Sequence, residues 1–297
     1  MIDKQLPDKR IFFIVNPISG SGKQRTIEAL IEKHLDLNLY SFKVVFTEYR
    51  GHATELAREA VSGGASIVVA VGGDGTVNEV GRALVGTETT LAIIPTGSGN
   101  GLARHLGLPM NFRKAINLIN RAKRMKIDTA TLNNQFFVSV AGVGFDAHIA
   151  RKFDKTTKRG FISYFNIATS SYRNYKPRSY KISVDGRVIK RKALLISFAN
   201  SSQFGNNATI DPGAKIDDGF INVCIVRKIP FWKVALITPL FFMKKFDKTP
   251  FVEIIKAKEI IINRKKGKFI HLDGDPEIEK KSFIIKVHPL SLYIIIP

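Results

Sequence analysis

The stretch Gly72-Gly73-Asp74-Gly75-Thr76-Val77-Asn78-Glu79 lies between an apolar run at Ser66–Val71 and a segment with helical spacing. A short apolar run bounded by turn signals predicts a buried strand. Three glycines let the backbone approach a ligand without Cβ clashes. Asp74 can hold a metal or a water, whereas Thr76 and Asn78 can cap the helix or bind phosphate oxygens. A tight strand-to-helix turn needs one glycine, so three around an acid favour a ligand-binding turn over a simple turn.

Two further glycine-rich loops follow predicted strands. One is Asn16-Pro17-Ile18-Ser19-Gly20-Ser21-Gly22-Lys23, and the other is Pro95-Thr96-Gly97-Ser98-Gly99-Asn100-Gly101. Open α/β sheets bind ligands at the carboxyl ends of their strands, and free backbone N–H groups at a helix start suit phosphate. Three such loops on one sheet edge would form a cradle for nucleotide phosphates.

The first loop matches neither of two common nucleotide motifs. Pro17 stands where a P-loop has its first glycine, and Gln24 replaces the Ser or Thr that holds magnesium. Arg25 stands at the third glycine of the dinucleotide pattern. Read alone, this loop leaves open a flexible connection as well as a phosphate site.

The chain of 297 residues predicts two domains, because one core seldom organises so many residues. Up to residue 127, strand and helix patterns alternate, which is typical of a parallel α/β domain. The predicted strands are Arg10–Val15, Phe42–Thr47, Ser66–Val71 and Leu91–Pro95, and the predicted helices are Ile27–Leu35, Ala53–Val61, Thr76–Leu84, Asn100–His105 and Phe112–Ile119.

From residue 128 to 297, short alternating segments predict a β-rich domain, either a sandwich or a barrel. Asp185-Gly186 between two such segments predicts a hairpin. The remaining predicted strands are Leu194–Ala199, Phe220–Val226, Glu259–Asn263, Lys268–Leu272, Ser282–Val287 and Tyr293–Ile296, with helices near Phe161–Ser171 and Pro230–Lys245.

The composition is strongly basic, with 46 Lys and Arg against 25 acidic residues and a net charge of +21. Such an excess favours a polyanionic partner: nucleic acid, an anionic membrane or a phosphorylated substrate. No RNA-binding signature or helix-turn-helix pattern is evident, so nucleic acid is not expected. A single cysteine, Cys224, excludes an internal disulfide and suits a reducing cytosol. No signal peptide is visible, and the apolar stretch Val234–Met243 is too short to span a bilayer.

The three loops, in this order and spacing, resemble the diacylglycerol kinase catalytic domain family, which includes sphingosine and ceramide kinases. The matching stretches are NPxSG at the first loop, GGDGTxNEV at the second and PTGSGNGLAR at the third. Ala141–Asp146, Ile216–Phe220 and Leu272–Asp275 extend the resemblance over essentially the whole chain. It implies a Rossmann-like ATP-binding domain with a mostly parallel sheet at 1–127, as in NAD kinases. It also implies a β-sandwich lipid-substrate domain at 128–297, with the active site between the two.

The resemblance also implies roles for particular residues. Positions that match family contacts to ATP are Asn16, Thr47, Gly72, Gly73, Asp74, Gly75, Thr76, Val77, Asn78 and Ser98. Asp74 and Asp128 match acids that reach the catalytic Mg²⁺ through waters. Lys215 and Phe220, through their carbonyls, and the Asp218 carboxylate match a structural Mg²⁺ site, which suits the preference of Mg²⁺ for oxygen.

Asp273 matches the general base that takes the proton from the lipid hydroxyl. Transfer of a γ-phosphate to a hydroxyl needs such an acceptor, and a carboxylate at a turn can serve. Asp273-Gly274 is also a common hairpin signal, and spacing alone does not separate the two interpretations.

Two departures from the family leave the acceptor lipid open. Asp275 stands where the family often has Glu, which puts an accessory role of that carboxylate in doubt. Gly101 stands where many bacterial diacylglycerol kinases have Asp, and Ser98-Gly99-Asn100 is similar to sphingosine and ceramide kinases. Diacylglycerol is the first expectation, followed by a sphingoid base, ceramide or another glycerolipid.

Two aromatic segments beside basic residues are candidates for membrane contact: Phe161–Phe165 after the run Lys152–Arg159, and Phe231–Phe242 beside Lys233, Lys244 and Lys245. Core burial is expected for most of these aromatics, and exposed members of the second segment are expected to dock on anionic lipid. A peripheral enzyme at the cytoplasmic face of the membrane follows, with a homodimer left open.

Two other function classes stay open at this point. A soluble kinase of the NAD-kinase type shares the GGDG turn, but the loops at Asn16 and Pro95 argue against it. A non-enzymatic basic module that binds membrane or nucleic acid would have lost its ATP site. The acids at Asp74, Asp128, Asp218 and Asp273 argue against such a loss.

Overall fold

The computed structural model describes residues 9–19, 27–156, 160–265, 269–278 and 281–297. The chain divides into two compact units, of which one contains residues up to Ile127 together with Ser291–Pro297. The other contains Asp128–Leu290. The last seven residues, which the sequence analysis assigned to the second domain, therefore lie with the first.

The first unit alternates strands and helices. Its elements are β1 (Lys9–Val15), α1 (Ile27–His34), β2 (Tyr40–Phe46), α2 (His52–Ser62), β3 (Ile67–Gly72), α3 (Asp74–Leu84), β4 (Thr90–Pro95), α4 (Gly101–His105), α5 (Phe112–Arg121) and the start of β5 (Arg124–Leu132).

The sheet of this unit runs in the order β2-β1-β3-β4, and these strands pair in parallel. β3 and β4 are buried along their whole length, because helices cover both faces of such a sheet. Residues such as Ile11, Phe13, Val69 and Ile94 form its core. The parallel arrangement brings the carboxyl ends of β1, β3 and β4 to one edge, where the three glycine-rich loops begin.

The described part of the second unit consists mainly of antiparallel strands, with three α-helices and a short 3-10 helix at Phe246–Lys248. Its elements are the end of β5, then β6 (Gln135–Phe137), β7 (Val140–Gly144), α6 (Phe145–Asp154), α7 (Phe161–Tyr172), β8 (Arg178–Val184), β9 (Arg187–Ala193), β10 (Leu195–Ala199), β11 (Gln203–Gly205), β12 (Ala208–Thr209), β13 (Ile221–Val226), α8 (Phe231–Phe242), β14 (Val252–Ala257), β15 (Glu259–Arg264), β16 (Phe269–Leu272), β17 (Asp275–Ile278) and β18 (Ser282–Ile295), the end of which lies in the first unit.

Two antiparallel sheets pack face to face in the second unit. One follows the order β14-β13-β10-β7-β16-β17, and the other contains β18, β15, β8 and β9. Inward side chains of both sheets share one buried cluster that includes Phe198, Val223, Ile262 and Phe283. This is a β-sandwich, in which alternate residues of each strand face the core.

A second apolar cluster lies where helices meet the sandwich. It combines Phe145 and Ile149 of α6, Tyr172 of α7 and Ile237 of α8 with Cys224 of β13. The outward face of the β14-containing sheet is therefore covered by helices rather than by water.

The predicted α/β domain followed by a β-sandwich is confirmed. Three details differ. α3 begins at Asp74 rather than Thr76, and the two predicted C-terminal strands are one strand, Ser282–Ile295. The sequence analysis also missed the helix α6, Phe145–Asp154, and the strands β5, β6, β7, β11, β12, β14 and β17. Of these, β7 is buried along its whole length and so shows no alternation, whereas only the first half of α6 is buried.

Candidate active site

The three glycine-rich loops of the first unit are joined by side-chain hydrogen bonds. Asn16 Nδ2 donates to Thr76 Oγ1 across 3.3 Å, which links the first loop to the second. The hydroxyls of Ser19 and Thr96 lie 2.8 Å apart, which links the first loop to the third. Gly20, Ser21, Gly22 and Lys23 of the first loop lie outside the described residues. The described part of the cradle is thus one connected structure.

Asp74 holds the second and third loops together. Its Oδ2 accepts a hydrogen bond from Asn100 N at 2.8 Å, and its Oδ1 accepts one from Gly101 N at 2.7 Å. A carboxylate in the first turn of α3 is also favoured by the positive end of the helix dipole. Both oxygens of Asp74 therefore fix the shape of the loop after β4.

The second and third loops approach each other through glycine. A Cβ added at Gly97 would lie 2.6 Å from Gly73 Cα and 3.0 Å from Asn100 Oδ1. A Cβ added at Gly72 would overlap the side chain of Thr76. Gly73 and Gly97 are needed because the backbones of the second and third loops touch, and Gly72 is needed because the Thr76 side chain lies against it. Neither reason requires a bound ligand.

The predicted capping role of Thr76 and Asn78 is wrong. The N-cap of α3 is Gly73, which has no side chain, and both polar residues lie within the helix and are buried. Thr76 accepts from Asn16, as described above, and Asn78 Oδ1 accepts from Arg82 Nη2 at 2.9 Å. Thr76 therefore links the first and second loops, whereas the Asn78 bond lies within α3.

The other predicted nucleotide contacts also lie at this sheet edge. Thr47 follows β2, and its N–H donates to Val15 O at 2.9 Å. Ser98 is exposed in the third loop, whereas Val77 is buried in the core of the unit. Of these, Ser98 and Thr47 can offer side chains to a ligand.

Glu79 has a structural role that the sequence analysis did not assign. Its two carboxylate oxygens accept from Gly51 N at 2.8 Å and from Ala53 N at 3.1 Å. Gly51 is the N-cap of α2 and has a left-handed φ of 94°. Glu79 therefore fixes the start of α2 against α3. The sequence could have indicated this role, because Glu79 follows Asp74 by five residues and so points to a different side of α3.

In the second unit, Asp273 occupies the turn between β16 and β17. It has a φ of 48° and Gly274 a φ of 93°, which is a type I′ hairpin. Its Oδ1 accepts from Ser139 N at 2.8 Å and from Val140 N at 3.0 Å, and its Oδ2 accepts from Val138 N at 3.0 Å. Asp273 is therefore a hairpin turn residue, as its Asp-Gly sequence predicted, and its carboxylate is also held in a fixed orientation.

Asp185 provides a close parallel within the same unit. It has a φ of 45° in the predicted β8–β9 hairpin, and its Oδ1 accepts from Lys258 N at 3.0 Å and Glu259 N at 2.9 Å. Both Asp-Gly turns therefore cap the N–H groups of a neighbouring segment. The geometry of Asp273 alone does not distinguish a catalytic base from a turn residue, and its catalytic role stays a prediction.

Asp128 is fully buried at the start of the second unit. Its Oδ2 accepts from Gly219 N at 2.6 Å and its Oδ1 from Leu290 N at 2.8 Å. Its backbone O accepts from Asn200 Nδ2 at 2.8 Å. These bonds give Asp128 a structural role, and its water-linked contact to a metal stays a prediction.

The predicted structural Mg²⁺ site contains an ion pair. Asp218 Oδ2 lies 2.6 Å from Lys256 Nζ, and Asp218 Oδ1 accepts from Phe220 N at 3.1 Å. Across the described ranges, no group of three or more His, Cys, Asp or Glu side chains could hold a metal ion. The Asp218 carboxylate is thus held by an ion pair and a backbone hydrogen bond, and the structural Mg²⁺ site at Lys215, Asp218 and Phe220 stays a prediction.

A buried polar cluster lies immediately before the Asp273 turn. His271 Nε2 is 3.2 Å from Asp146 Oδ2, and Ser197 Oγ donates to the same oxygen at 3.2 Å. A Cβ at Gly142 would overlap Asp146 and His271, so that glycine makes room for the pair. The sequence analysis did not pair His271 with Asp146, because the β7–β16 pairing that joins His271 to Gly142 is nonlocal.

Each unit of the chain matches a family model of known proteins. A family model for the diacylglycerol kinase catalytic domain matches residues 10–132, and one for the YegS C-terminal NAD kinase beta sandwich-like domain matches residues 139–296. A diacylglycerol kinase from Staphylococcus aureus strain bovine RF122 / ET3-1 is 29% identical over 273 residues, covering 90% of this chain and 86% of that protein.

Solved structures agree in fold. A proposed diacylglycerol kinase from Bacillus anthracis str. Sterne has a TM-score of 0.80 at 26% identity, covering 97% of each chain. An NAD kinase from Archaeoglobus fulgidus in complex with ATP has a TM-score of 0.55 at 12% identity, covering 96% of this chain and 93% of that one. The latter likeness concerns the fold alone.

Proposed function

Because the chain belongs to the diacylglycerol kinase catalytic domain family of lipid kinases, we propose that it transfers the γ-phosphate of ATP to diacylglycerol. The acceptor hydroxyl attacks the γ-phosphorus, the bond to the β-bridging oxygen breaks, and ADP leaves. The hydroxyl proton passes to a carboxylate, and the product is phosphatidate. The relatives described above are diacylglycerol kinases by name, which supports this acceptor.

The observation that carries the proposal is the connected edge of the first unit. Asp74 fixes the third loop against the second, and Asn16 ties the first loop to Thr76. Phosphoryl transfer depends mainly on positioning and charge stabilisation, so loops that are rigid before ATP binds lower the cost of holding it.

The substrate in this proposal is the MgATP complex, whose metal neutralises phosphate charge. Asp74 would face its hydration shell, and Asp273 would accept the proton of the lipid hydroxyl. Three backbone N–H groups hold the Asp273 carboxylate in one orientation, which suits a base that must meet a hydroxyl at a fixed place. The Asp218–Lys256 pair takes no part in the reaction.

A direct test incubates the protein with labelled ATP, Mg²⁺ and one acceptor at a time: diacylglycerol, ceramide or sphingosine in vesicles, or NAD in solution. Label is expected in phosphatidate. Label in a sphingolipid would change the acceptor and leave the kinase assignment intact, whereas label in NAD alone would contradict lipid kinase activity.

The acceptor in this proposal is a membrane lipid, so the enzyme is expected to work at the cytoplasmic face of a membrane. Among the described residues, no helix is long and apolar enough to cross a bilayer. Access to the acceptor would then require a surface that binds the membrane peripherally.

A further inference from the structure

Helix α8 presents an apolar face to solvent. Trp232 is 70% exposed and Leu236 is 72% exposed, and Phe231 and Met243 are exposed as well. Trp232, Leu236 and Met243 follow one another at four and seven residues, which is about one and two helical turns, so they lie on one side of the helix, with Phe231 at its start. Isolated exposed apolar residues are ordinary, but a contiguous row of large ones marks an interaction surface.

The opposite side of α8 holds the helix on the protein. Ile237 is buried, and Val234, Leu240 and Phe241 pack against the same apolar cluster. Apart from Lys233 and Thr238, α8 is therefore apolar on every side, although only one side is covered. A helix of this kind is typical of a protein interior or a membrane rather than of a water-facing surface.

α7 packs on the same apolar cluster as α8 and also carries an exposed apolar residue. Tyr164 and Ile167 of α7 pack on the same cluster as Ile237. The hydroxyl of Tyr172, at the end of α7, donates to Ile229 O at 2.7 Å and accepts from Ile229 N at 3.0 Å, just before α8. Ile162, near the start of α7, is 76% exposed. Both helices thus turn apolar residues away from one core.

The charges around α8 identify the partner. The segment from Arg227 to Phe246 contains five basic residues and no acidic residue. Lys233 Nζ lies 4.8 Å from the centre of the Trp232 ring, and Lys244 and Lys245 are exposed at the other end of the helix. A second copy of this chain would bring two such basic segments together, and their charges would repel. An anionic bilayer offers both a negative surface and an apolar layer.

We propose that the outward face of α8, formed by Phe231, Trp232, Leu236 and Met243 and flanked by Lys233, Lys244 and Lys245, docks on anionic phospholipid. The helix has 12 residues and is about 18 Å long, so it would lie along the interface rather than span it. Ring and aliphatic groups enter the acyl boundary, and the ammonium groups stay at the headgroups. The proposal deepens the proposed function, since it names the surface by which the kinase reaches its lipid.

The test measures binding of the full chain to vesicles of phosphatidylcholine with and without phosphatidylglycerol, in the absence of diacylglycerol and ATP. The variant Trp232→Ala/Leu236→Ser is expected to bind anionic vesicles about tenfold to a hundredfold more weakly. Val188→Ser removes an exposed apolar side chain from β9 and is expected to bind like the wild type.

Charge is tested by a second matched pair. Lys244→Glu/Lys245→Glu is expected to weaken binding at least about tenfold, on anionic vesicles only. Lys190→Glu/Lys192→Glu makes the same change in net charge on β9, and its effect is expected to be several-fold smaller. Equal losses for the two charge variants would show that general charge, rather than α8, drives binding.

Trp232 is the only tryptophan, so its fluorescence reports on α8 directly. Its emission is expected to shift to shorter wavelength with anionic vesicles and to be quenched by brominated acyl chains. An unchanged emission spectrum would overturn the proposal. So would a shift that appears with protein concentration alone and vanishes in Leu236→Ser, which would assign the face to a second copy.

The kinase assay separates the two proposals. Trp232→Ala/Leu236→Ser is expected to lose activity on vesicular diacylglycerol and to keep it on a short-chain, water-soluble acceptor. Absence of kinase activity in the wild type with vesicle binding intact would refute the proposed function and leave docking by α8 standing.

Discussion

Replacing Asp273 by Asn separates a catalytic base from a turn residue. The Asn side chain can keep its carbonyl oxygen toward Ser139 N and Val140 N, but its amide nitrogen then faces Val138 N in place of Oδ2. One backbone donor loses its acceptor, which costs about 1–3 kcal/mol of folding free energy. Domains have about 5–15 kcal/mol, so the variant is expected to remain almost entirely folded.

The kinetic loss is expected to be much larger than the structural one. Removal of a general base costs about 10²–10⁴-fold in turnover. A loss of 2 kcal/mol of stability, roughly the middle of the expected range, leaves too little unfolded protein to change turnover measurably. A hundredfold loss in a folded protein would therefore report chemistry.

Asp185→Asn is the matched control. Oδ1 of Asp185 accepts from both Lys258 N and Glu259 N, so an Asn can keep both bonds in the same kind of turn. The assay measures kcat at saturating MgATP with a soluble diacylglycerol, together with ATP binding and urea unfolding. Asp185→Asn is expected to match the wild type, and Asp273→Asn to bind ATP with little turnover. Retention of more than about a tenth of wild-type kcat by folded Asp273→Asn would refute the role of Asp273 as base.

Three further predictions concern other parts of the chain. Gly97→Ala places a Cβ 2.6 Å from Gly73 Cα and is expected to raise the KM for ATP at least about tenfold, whereas Gly213→Ala, with its nearest neighbour at 3.4 Å, is expected to leave KM unchanged. The hydrogen bond from the Arg191 guanidinium lowers the pKa of Glu253. The pair therefore stabilises the folded protein at pH values above the ordinary pKa of a carboxyl group, and this stabilisation is lost as the pH falls through the lowered pKa. Accordingly, Arg191→Met is expected to reduce unfolding free energy by less than about 1 kcal/mol at neutral pH and by nothing measurable in acid, and a pH-independent loss would refute the assignment. Burial raises the pKa of the Cys224 thiol, so a thiol reagent is expected to label it only at the rate at which the second unit opens, and rapid labelling of folded protein would contradict its burial.

The sequence predicted the elements whose patterns are local. The parallel strands of the first unit are continuous apolar runs, and the Asp185-Gly186 turn is set by its own two residues. Both are visible without knowledge of the rest of the chain. β7 was missed because burial along its whole length removes the alternation that identifies a strand.

The candidate site was predictable by residue type but not by contact. Glycines, Asp74 and Asn16 mark the loops, yet the bonds from Asp74 to Asn100 and Gly101 join segments 26 and 27 residues apart. The Asp218–Lys256 ion pair likewise joins residues that are 38 positions apart. Such pairs depend on the tertiary arrangement, which no local pattern encodes. The exposure of Trp232 was likewise decided by which side of α8 meets the core.

The most direct measurement of the central claim is phosphorus NMR of wild-type protein with MgATP and a soluble diacylglycerol. The account predicts a phosphomonoester signal of phosphatidate that grows with ADP in equal amounts, and no such signal from Asp273→Asn. Release of inorganic phosphate with ADP and without a phosphorylated lipid would contradict the account.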